Sequence, residues 1–388
     1  MPHIAILGAG PIGLEAALAA RERGFAFTVY EQASGVGGHV RRWGHVRLFT
    51  PWSMNVSERM RSALGEQAPG GGSLPSGNEL ASALLEPLAA LPGISEHVQT
   101  AVRVLGVARE GLLKHEEIAS EERAGRRFRL LVRDSDGAER LEHADAVVDA
   151  TGTFGNPNRL GDGGIDAPGE AACGPSIERC LSPVDGLAGR TVLLTGSGHS
   201  AQTAALELAE LARGAGGTRV LWALRRPTPD FGAVKDDPLP ERARLNRAAG
   251  ELAAGASPAI EVSPGLVTEA VAPAEGGRVR VTLRNGDLRE EEVDRVLALN
   301  GAQPDASLYR QLQVHECYAS LGPMNLAAAL LGAGAGGDCL AQVSHGPDTL
   351  RNPEPGFFIL GAKSYGRNSQ FLMRLGWQQV DDVFGALL

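Results

Sequence analysis

The sequence lacks the features that mark several protein classes. Its four cysteines, Cys173, Cys180, Cys317 and Cys339, include no C-x-x-C pair and no zinc-ligand spacing. We therefore predict packing roles for the cysteines and no metal site. No apolar run reaches the ~20 residues of a membrane-spanning helix. Lys and Arg form no stripe that would offset the net charge of −9, so neither a nucleic acid nor a membrane is a predicted partner.

A targeting segment is also missing from the sequence. Met1, Pro2 and His3 lead directly into a strand pattern, without the basic and apolar regions of a secretory signal. We therefore expect a cytoplasmic protein with reduced cysteines. Glycine, in contrast, is abundant, with 51 of 388 residues. This excess predicts loops whose backbone approaches a ligand closely.

The first 31 residues contain the strongest motif. An apolar strand from His3 to Leu7 precedes the turn Gly8 to Gly13 (GAGPIG), a helix, and a second strand that ends at Glu31. In such a βαβ unit the first glycine allows the tight turn and the second lets the backbone approach a pyrophosphate. The helix N-terminus favours the phosphates, and Glu31 can accept hydrogen bonds from ribose hydroxyls. The motif predicts a dinucleotide site.

A second copy of this motif follows far downstream. The strand Arg190 to Thr195 precedes the turn Gly196 to Ala201 (GSGHSA) and a helix, and the next strand ends in Arg225 and Arg226 instead of an acid. Guanidinium groups can hold a 2′-phosphate by charge-assisted hydrogen bonds, which predicts NADPH at this turn. The alternative is that both arginines form a solvated strand end and that the site prefers NADH.

Together these motifs resemble the two-dinucleotide-binding-domain flavoproteins, which include flavin-containing monooxygenases, thioredoxin reductases and low-molecular-weight disulfide reductases. The resemblance covers nearly the whole chain. Its residues are Gly8 to Gly13, Glu31 with Gly37 and Gly38, Ala150-Thr151-Gly152 with Pro157, Gly196 to Ala201, and Asn300-Gly301 with Pro304.

The resemblance implies an α/β fold with two Rossmann-like domains, the NADPH-binding domain being inserted into the FAD-binding domain. The FAD domain would comprise residues 1–158 plus 300–388, and the NADPH domain residues 159–299. The implied FAD-binding residues are Gly8, Gly10, Pro11, Ile12, Gly13, Glu31, Gln32, Gly38, Val102, Ala150, Thr151, Gly152 and Gly361. The implied NADPH-binding residues are Gly196, Ser197, Gly198, His199, Ser200, Ala201, Arg225, Arg226, Asn300 and Gly301.

The reaction is inferred from departures from the family patterns. No cysteine pair follows Gly38, and the NADPH domain has no C-x-x-C pair, so electrons cannot leave through a redox-active disulfide of those kinds. The overall layout implies a monooxygenase in which NADPH reduces FAD, oxygen adds at C4a to give a hydroperoxyflavin, and a small molecule is oxygenated. Two alternatives stay open. One is an NADPH-dependent reductase of an external disulfide, quinone or small organic acceptor, and the other is a non-catalytic, regulatory flavoprotein.

Two features depart from the monooxygenase pattern. The linker fingerprint F-x-G-x-x-x-H has no match around Ala167 to Cys180, and Ala362-Lys363 replaces the acid that many relatives have after the last glycine turn. Lys363 would either stabilise an anionic reduced flavin or be solvated.

Two segments rich in aromatic and cationic side chains, Arg41 to Asn55 and Gly361 to Gln379, are the expected walls of a substrate pocket. The alternative for the first segment is a flap that packs on the FAD domain without chemistry. The flavin-facing catalytic candidates are Arg47, Trp52, Asn55, Lys363 and Tyr365. A small-molecule substrate is expected, and a homodimer is one assembly that the sequence leaves open.

Overall fold

The computed structural model describes residues 2–214, 216–332, 340 and 342–386. The chain divides into two compact units. The first comprises residues 1–156 and 303–388, and the second comprises residues 157–302. One unit is therefore inserted into the other along the chain.

The strands of the described residues are numbered in chain order. They are β1 (His3–Leu7), β2 (Ala26–Tyr30), β3 (Val98–Gln99), β4 (Arg103–Arg109), β5 (Phe128–Arg133), β6 (Glu139–Ala144), β7 (Ala146–Asp149), β8 (Ile177–Glu178), β9 (Thr191–Thr195), β10 (Arg219–Leu224), β11 (Ile260–Pro264), β12 (Val267–Pro273), β13 (Val279–Asn285), β14 (Asp287–Val293), β15 (Arg295–Ala298) and β16 (Phe357–Ile359).

The α-helices follow the same convention. They are α1 (Pro11–Glu22), α2 (Gly38–Arg42), α3 (Trp52–Asn55), α4 (Glu58–Leu64), α5 (Gly77–Leu80), α6 (Glu86–Ala89), α7 (Glu121–Gly125), α8 (His199–Gly214), α9 (Pro240–Ala253), α10 (Met324–Gly332) and α11 (Met373–Ala386). A π-helical turn at Ala81–Leu85 joins α5 to α6. Within the described ranges, no helix combines the length and the apolar character that crossing a membrane requires.

Each unit is built on a five-stranded parallel sheet. The order is β16-β7-β1-β2-β3 in the first unit and β11-β10-β9-β15-β8 in the second. In both sheets the strand before the glycine turn, β1 or β9, is central and has the next strand of its βαβ unit on one side. The predicted α/β class with two Rossmann-like folds is confirmed.

The central strands are apolar because a parallel sheet is covered on both faces. Ile4 and Ile6 of β1 are fully buried, as are Ala16 and Ala17 of α1, whose small side chains let the helix lie close to the sheet. The helix begins at Pro11, since a residue with a fixed φ and no N–H suits the first helical position.

A three-stranded antiparallel sheet accompanies each parallel sheet, β4-β5-β6 in the first unit and β12-β13-β14 in the second. Hairpin turns at Asp136-Gly137 and Asn285-Gly286 connect β5 to β6 and β13 to β14, and both glycines have positive φ. The last helix, α11, begins at Met373, and the helical segment from α5 to α6 is interrupted by the π-helical turn.

Candidate functional site

The glycine turn after β1 leaves no room for side chains at two of its positions. Gly8 has a φ of 97°, and a Cβ there would lie 2.9 Å from the carbonyl oxygen of Ala150. A Cβ at Gly13 would lie 1.8 Å from the carbonyl oxygen of Gly8. Around Gly10, however, a Cβ would have no atom within 4 Å. The turn is therefore closed towards the sheet and open at Gly10, at the N-terminus of α1.

Glu31 is held beside this turn by two backbone N–H groups. Its Oε2 accepts a hydrogen bond from the N–H of Ala9 and its Oε1 accepts one from the N–H of Ala33, both at 2.9 Å. The carboxylate is buried, and its position next to the open turn suits ribose hydroxyls. The backbone N–H of Val102 donates to the carbonyl oxygen of Glu31 at 2.9 Å.

A large cavity of about 520 Å³ extends from this turn. Its volume lies in the ~300–1,000 Å³ range of small-molecule sites. Gly8, Gly10 and Glu31 line one part of it. The apolar part is lined by Trp43, Leu48, Met54, Phe154, Phe371 and Trp377. The segments Arg41 to Asn55 and Gly361 to Gln379 thus both contribute to its wall, the former through Trp43 and the latter through Trp377.

A smaller cavity of about 160 Å³ adjoins the same turn. Gly8, Glu31, His39, Thr151 and Gly152 line both cavities. The smaller cavity is the more polar of the two in its side chains, which include Gln32, Arg103, Asn156, Asp305 and Lys363.

The glycine turn of the second unit repeats the geometry of the first. Gly196 has a φ of 107°, and a Cβ there would lie 2.3 Å from the carbonyl oxygen of Leu299. Gly198, like Gly10, would have nothing within 4 Å of a Cβ. The indole N–H of Trp222 donates to the carbonyl oxygen of Gly196 at 2.8 Å and fixes the turn.

Other predicted residues of this turn occupy different environments. Ser197, Gly198, His199 and Ser200 lie at or just before the N-terminus of α8, and Ala201 is buried beneath the turn. The side chain of Asn300 is held within its own unit. Its Oδ1 accepts from the hydroxyl of Thr195 at 2.9 Å, and its Nδ2 donates to the carbonyl oxygen of Arg159 at 3.2 Å. Gly301 has a φ of 79°.

Arg225 and Arg226 are exposed directly after β10. Arg226 lies 3.9 Å from the carboxylate of Asp230, whereas Arg225 forms no ion pair within the described part of the chain. Arg225 is thus the less neutralised of the two cations.

A family model described as pyridine nucleotide-disulphide oxidoreductase matches residues 2–317. The chain belongs to this family. It is therefore a flavin-dependent oxidoreductase whose cofactors are FAD and a nicotinamide nucleotide. No curated protein matches the chain by sequence.

Solved structures share the fold over the whole chain. Bacillithiol disulfide reductase Bdr (YpdA) from Bacillus cereus is 19% identical with a TM-score of 0.72, and the match covers 100% of this chain and 98% of that one. Thioredoxin reductase from Lactococcus lactis is 17% identical with a TM-score of 0.61 and coverages of 99% and 97%. The FAD-bound cadaverine monooxygenase DfoA from Erwinia amylovora is 13% identical with a TM-score of 0.64 and coverages of 99% and 94%. At these identities the likeness shows the fold alone.

The residues of the first unit fit the FAD of this family. The turn is open only where a pyrophosphate would approach, at Gly10, and a carboxylate for the ribose lies beside it. The large cavity continues from the turn to an aromatic wall that includes Trp43, Phe154 and Trp377. FAD would supply the capacity to take two electrons from a nicotinamide nucleotide and pass them on.

Of the five predicted flavin-facing side chains, Asn55 lines the large cavity, but its amide is engaged within its own loop. Its Nδ2 donates to the carbonyl oxygens of Thr50 and Pro51 at 2.7 and 3.0 Å, and its Oδ1 accepts from the hydroxyl of Thr50 at 2.8 Å. Asn55 therefore shapes the wall.

Arg47, Trp52 and Tyr365 line neither cavity, so the structure does not bring these three candidates to the space where FAD is expected. Arg47 is exposed and donates to the carbonyl oxygen of Leu74 at 2.8 Å. Trp52 is buried in the apolar core of the first unit. Tyr365 is also buried, and its ring packs edge-on against Phe371 with 5.4 Å between centroids.

Lys363 is neither solvated nor part of the large cavity. It is almost fully buried, and its Nζ donates to Asp149 Oδ2 at 2.6 Å and to the hydroxyl of Thr151 at 3.1 Å. Its ammonium therefore holds the loop after β7 and borders the smaller cavity.

Sequence reasoning missed several wall residues, among them His39 and Phe154. Their positions in the sequence could have indicated them, because His39 directly follows the motif residue Gly38 and Phe154 lies shortly after the motif residue Gly152. Burial, and then the nearby Arg42 cation, lowers the pKa of His39 below its usual value. The imidazole is therefore neutral at pH 7, and its Nε2 lies 3.2 Å from Gln32 Nε2.

The cysteines that the structure describes line neither cavity. Cys173 and Cys180 belong to the second unit, and Cys317 is buried in the first, just before a turn that precedes α10. Cys339 lies outside the described residues. Among the residues described, no group of three His, Cys, Asp or Glu side chains could hold a metal ion.

Proposed function

We propose that this flavoenzyme is an NADPH-dependent FAD monooxygenase that oxygenates a small, largely apolar molecule. One substrate molecule, one NADPH, one proton and one O₂ would give one product molecule, one NADP⁺ and one water. The product gains one oxygen atom, and the other oxygen atom leaves as water. The two electrons that this requires come from the nicotinamide.

The observation that carries this proposal is the composition of the large cavity. Its wall combines the indoles of Trp43 and Trp377 with the apolar side chains of Leu48, Met54 and Phe371, and none of the three cysteines that the structure describes lines it. A thiol beside the flavin would offer an exit for electrons through a disulfide, and the described part of the wall supplies none. An apolar site that excludes water suppresses side reactions of reactive intermediates.

The chain's own groups have separate tasks in this proposal. Gly10 and the N-terminus of α1 would receive the pyrophosphate of FAD, and Glu31 the adenosine ribose. Gly198 and the N-terminus of α8 would receive the pyrophosphate of NADPH. Arg225, exposed and without an ion pair in the described residues, would hold the 2′-phosphate.

A reductase of an external acceptor is the second candidate. In that reaction one NADPH and one proton would give NADP⁺ and the acceptor reduced by two electrons and two protons. Membership of the pyridine nucleotide-disulphide family and the structural similarity to a bacillithiol disulfide reductase favour it. Membership of an oxidoreductase family speaks against a purely regulatory flavoprotein.

Turnover under oxygen-18 distinguishes the two candidates. The FAD-loaded protein is mixed with NADPH and labelled O₂ in the presence of thioanisole or cyclohexanone as apolar probes. A monooxygenase gives labelled sulfoxide or lactone, with NADPH consumption above the peroxide yield. If the protein forms only peroxide with these probes, and reduces menadione with NADPH under argon at a faster rate, the monooxygenase proposal is rejected.

A further inference from the structure

The chain between β10 and α9, residues 225–239, is a long loop of the second unit. It forms neither a helix nor a strand, and most of its side chains are exposed. Loops longer than ~12 residues without secondary structure are uncommon in compact domains, and the ordered ones usually serve a function. Arg225 and Arg226 begin this loop, so its conformation decides which groups lie near both cations.

Two buried amide side chains hold the middle of the loop. Nε2 of Gln202, on α8, donates to the carbonyl oxygen of Phe231 at 3.0 Å. Nδ2 of Asn246, on α9, donates to the carbonyl oxygen of the next residue, Gly232, also at 3.0 Å. Gln202 is 1% and Asn246 4% exposed, although these residue types are mostly exposed in proteins. Two consecutive loop carbonyls are thus fixed by side chains from two helices.

The amide of Gln202 also reaches the glycine turn. Its Nε2 donates a second hydrogen bond to the carbonyl oxygen of Ser197 at 2.9 Å. An amide nitrogen has two N–H groups, so Gln202 uses both to join the turn to the loop. Trp222 makes a parallel connection, because its indole N–H donates to the carbonyl oxygen of Gly196 and its ring lies 5.4 Å from the Phe231 ring. The turn and the loop are therefore connected through side chains.

The two ends of the loop are anchored independently of the amides. At the start, the backbone N–H of Gly265 donates to the carbonyl oxygen of Arg226 at 3.2 Å. At the end, Nε and Nη2 of Arg242 each donate to a carboxylate oxygen of Asp237 at 2.7 Å. Loss of one amide should therefore loosen the middle of the loop without releasing its ends.

Asp230 directly precedes the two residues that the amides hold. Its Oδ1 accepts from the backbone N–H of Gly232 at 2.8 Å, and its Oδ2 lies 3.9 Å from Nη1 of Arg226. The position of this carboxylate therefore follows the position of the Phe231-Gly232 backbone. Arg225 is exposed at the start of the same loop. A carboxylate that moved towards Arg225 would neutralise the cation and repel a nearby phosphate.

We propose that Gln202 and Asn246 are positioning residues for the 2′-phosphate of NADPH. They keep the middle of the loop in place, so that Asp230 stays beside Arg226 and the cation of Arg225 stays available to the phosphate. The inference rests on the proposed binding of the 2′-phosphate at Arg225 and is independent of the final electron acceptor. NADH lacks the 2′-phosphate, so the two nucleotides provide the comparison.

The test is the anaerobic reduction of the FAD-loaded protein by NADPH and by NADH, followed by flavin absorbance. Gln202→Leu and Asn246→Leu keep a side chain of similar size and remove the N–H groups. We expect each variant to raise the apparent Kd for NADPH about tenfold, the size of one lost hydrogen bond. Asn246→Leu should leave the Kd for NADH and the limiting rate of reduction unchanged. Gln202→Leu should also weaken NADH, but less than NADPH, because it releases Ser197.

Gln313→Leu is the matched control. Gln313 is a buried amide of the first unit with the same bonding pattern, since its Nε2 donates to the carbonyl oxygens of Lys114 and Glu116 at 2.8 and 3.0 Å. This variant should lower the melting temperature about as much as Gln202→Leu does. It should leave the ratio of the Kd values for NADPH and NADH unchanged, which separates lost stability from lost position.

A second substitution tests the part that Asp230 plays. Asp230→Asn in the Asn246→Leu background removes the carboxylate that a loosened loop would bring towards Arg225. The double variant should recover most of the preference for NADPH that Asn246→Leu loses. A preference that stays as low as in Asn246→Leu would contradict the proposed role of the loop in holding this carboxylate.

The inference is overturned if both amide variants keep the parent's ratio of the two Kd values, or if Gln313→Leu changes the ratio as much as they do. Should Gln202→Leu fail to fold, Asn246→Leu decides alone. A ratio that changes in Arg225→Ala but not in the amide variants rejects the positioning role alone. A ratio that Arg225→Ala leaves unchanged rejects the phosphate site proposed at Arg225, and this inference with it.

Discussion

Nζ of Lys363 lies 2.6 Å from Oδ2 of Asp149, and both side chains are almost completely buried. The ion pair joins the end of β7 to the segment after β16. Asp149 also accepts hydrogen bonds from the N–H and hydroxyl of Thr151 through Oδ1, at 3.1 and 2.6 Å. The conformation of the Ala150-Thr151-Gly152 loop, which lines both cavities, therefore depends on this pair.

Replacement of Lys363 by Met should strongly destabilise the first unit. The variant leaves the Asp149 carboxylate buried without its cation, and breaking a buried pair in this way costs about 3–5 kcal/mol. Urea unfolding of the apoprotein measures the effect. The double variant Lys363→Met with Asp149→Asn removes both charges and should recover much of the loss. Equal stabilities of the single and double variants would show that the charge of Asp149 is not what matters.

Alanine at Gly10 and at Gly198 should separate the two nucleotide sites. Both positions have open space around the added Cβ, so each apoprotein should fold, but the methyl group enters the space expected for a diphosphate. Overpacking of about 1–3 kcal/mol corresponds to a loss of about 5- to 150-fold in affinity. Gly10→Ala should weaken FAD binding only, and Gly198→Ala should raise the KM for NADPH only.

Titration calorimetry with FAD and steady-state kinetics with NADPH check this pair of variants. Gly8→Ala serves as a contrast, since Gly8 has a positive φ and a carbonyl oxygen 2.9 Å from the added Cβ, and the variant should lose stability even without ligand. Loss of both nucleotides in either of the first two variants would contradict the assignment of one turn to each.

The choice between NADPH and NADH should depend more on Arg225 than on Arg226. Arg226 is partly neutralised by Asp230 at 3.9 Å, whereas Arg225 has no such partner among the described residues. Arg225→Ala should raise the KM for NADPH by about 10- to 100-fold, the equivalent of a lost charged hydrogen bond. Arg226→Ala should have a smaller effect, and the KM for NADH should hardly change. Equal increases in the KM for NADPH and in the KM for NADH would show that Arg225 does not bind the 2′-phosphate.

The neutral state of His39 should give the protein an acid-sensitive stability. Burial lowers the pKa of the folded-state imidazole, so below its ordinary value of 6.5 the unfolded chain binds a proton that the folded chain does not. The free energy of unfolding should therefore fall as the pH drops through 6.5, by at most about 1.4 kcal/mol per pH unit from this group.

His39→Gln removes this contribution while keeping a polar side chain beside Gln32. Urea unfolding at pH 7.5 and pH 5.5 should show a smaller decrease for the variant than for the parent protein. Parallel decreases would mean that other groups cause the acid sensitivity.

The glycine turns could be predicted from the sequence because their constraint is local. A positive φ at Gly8 or Gly196 follows from a strand, a turn and a helix that are adjacent in the chain. The carbonyl oxygens opposite them, those of Ala150 and Leu299, come from distant parts of the chain and could not be predicted locally. The inserted arrangement of the two units follows from the order of the same motifs.

The direction of individual side chains could not be predicted in this way. Residues 41–55 form short helices and turns, so their side chains point several ways and tertiary packing selects which face the cavity. Trp43 therefore faces it while Trp52 enters the core. The direction of the Lys363 side chain is set by its ion pair with Asp149, which belongs to a strand more than 200 residues earlier in the chain.

The central claim is that the flavin passes its electrons on without a redox-active disulfide in the protein. The most direct test is to count the electrons that the FAD-loaded protein accepts. In an anaerobic titration with NADPH, followed by flavin absorbance, the account predicts complete reduction after one equivalent per FAD, which is two electrons. Uptake of two equivalents, with two cysteine thiols appearing alongside the reduced flavin, would reveal a redox-active disulfide and contradict the account.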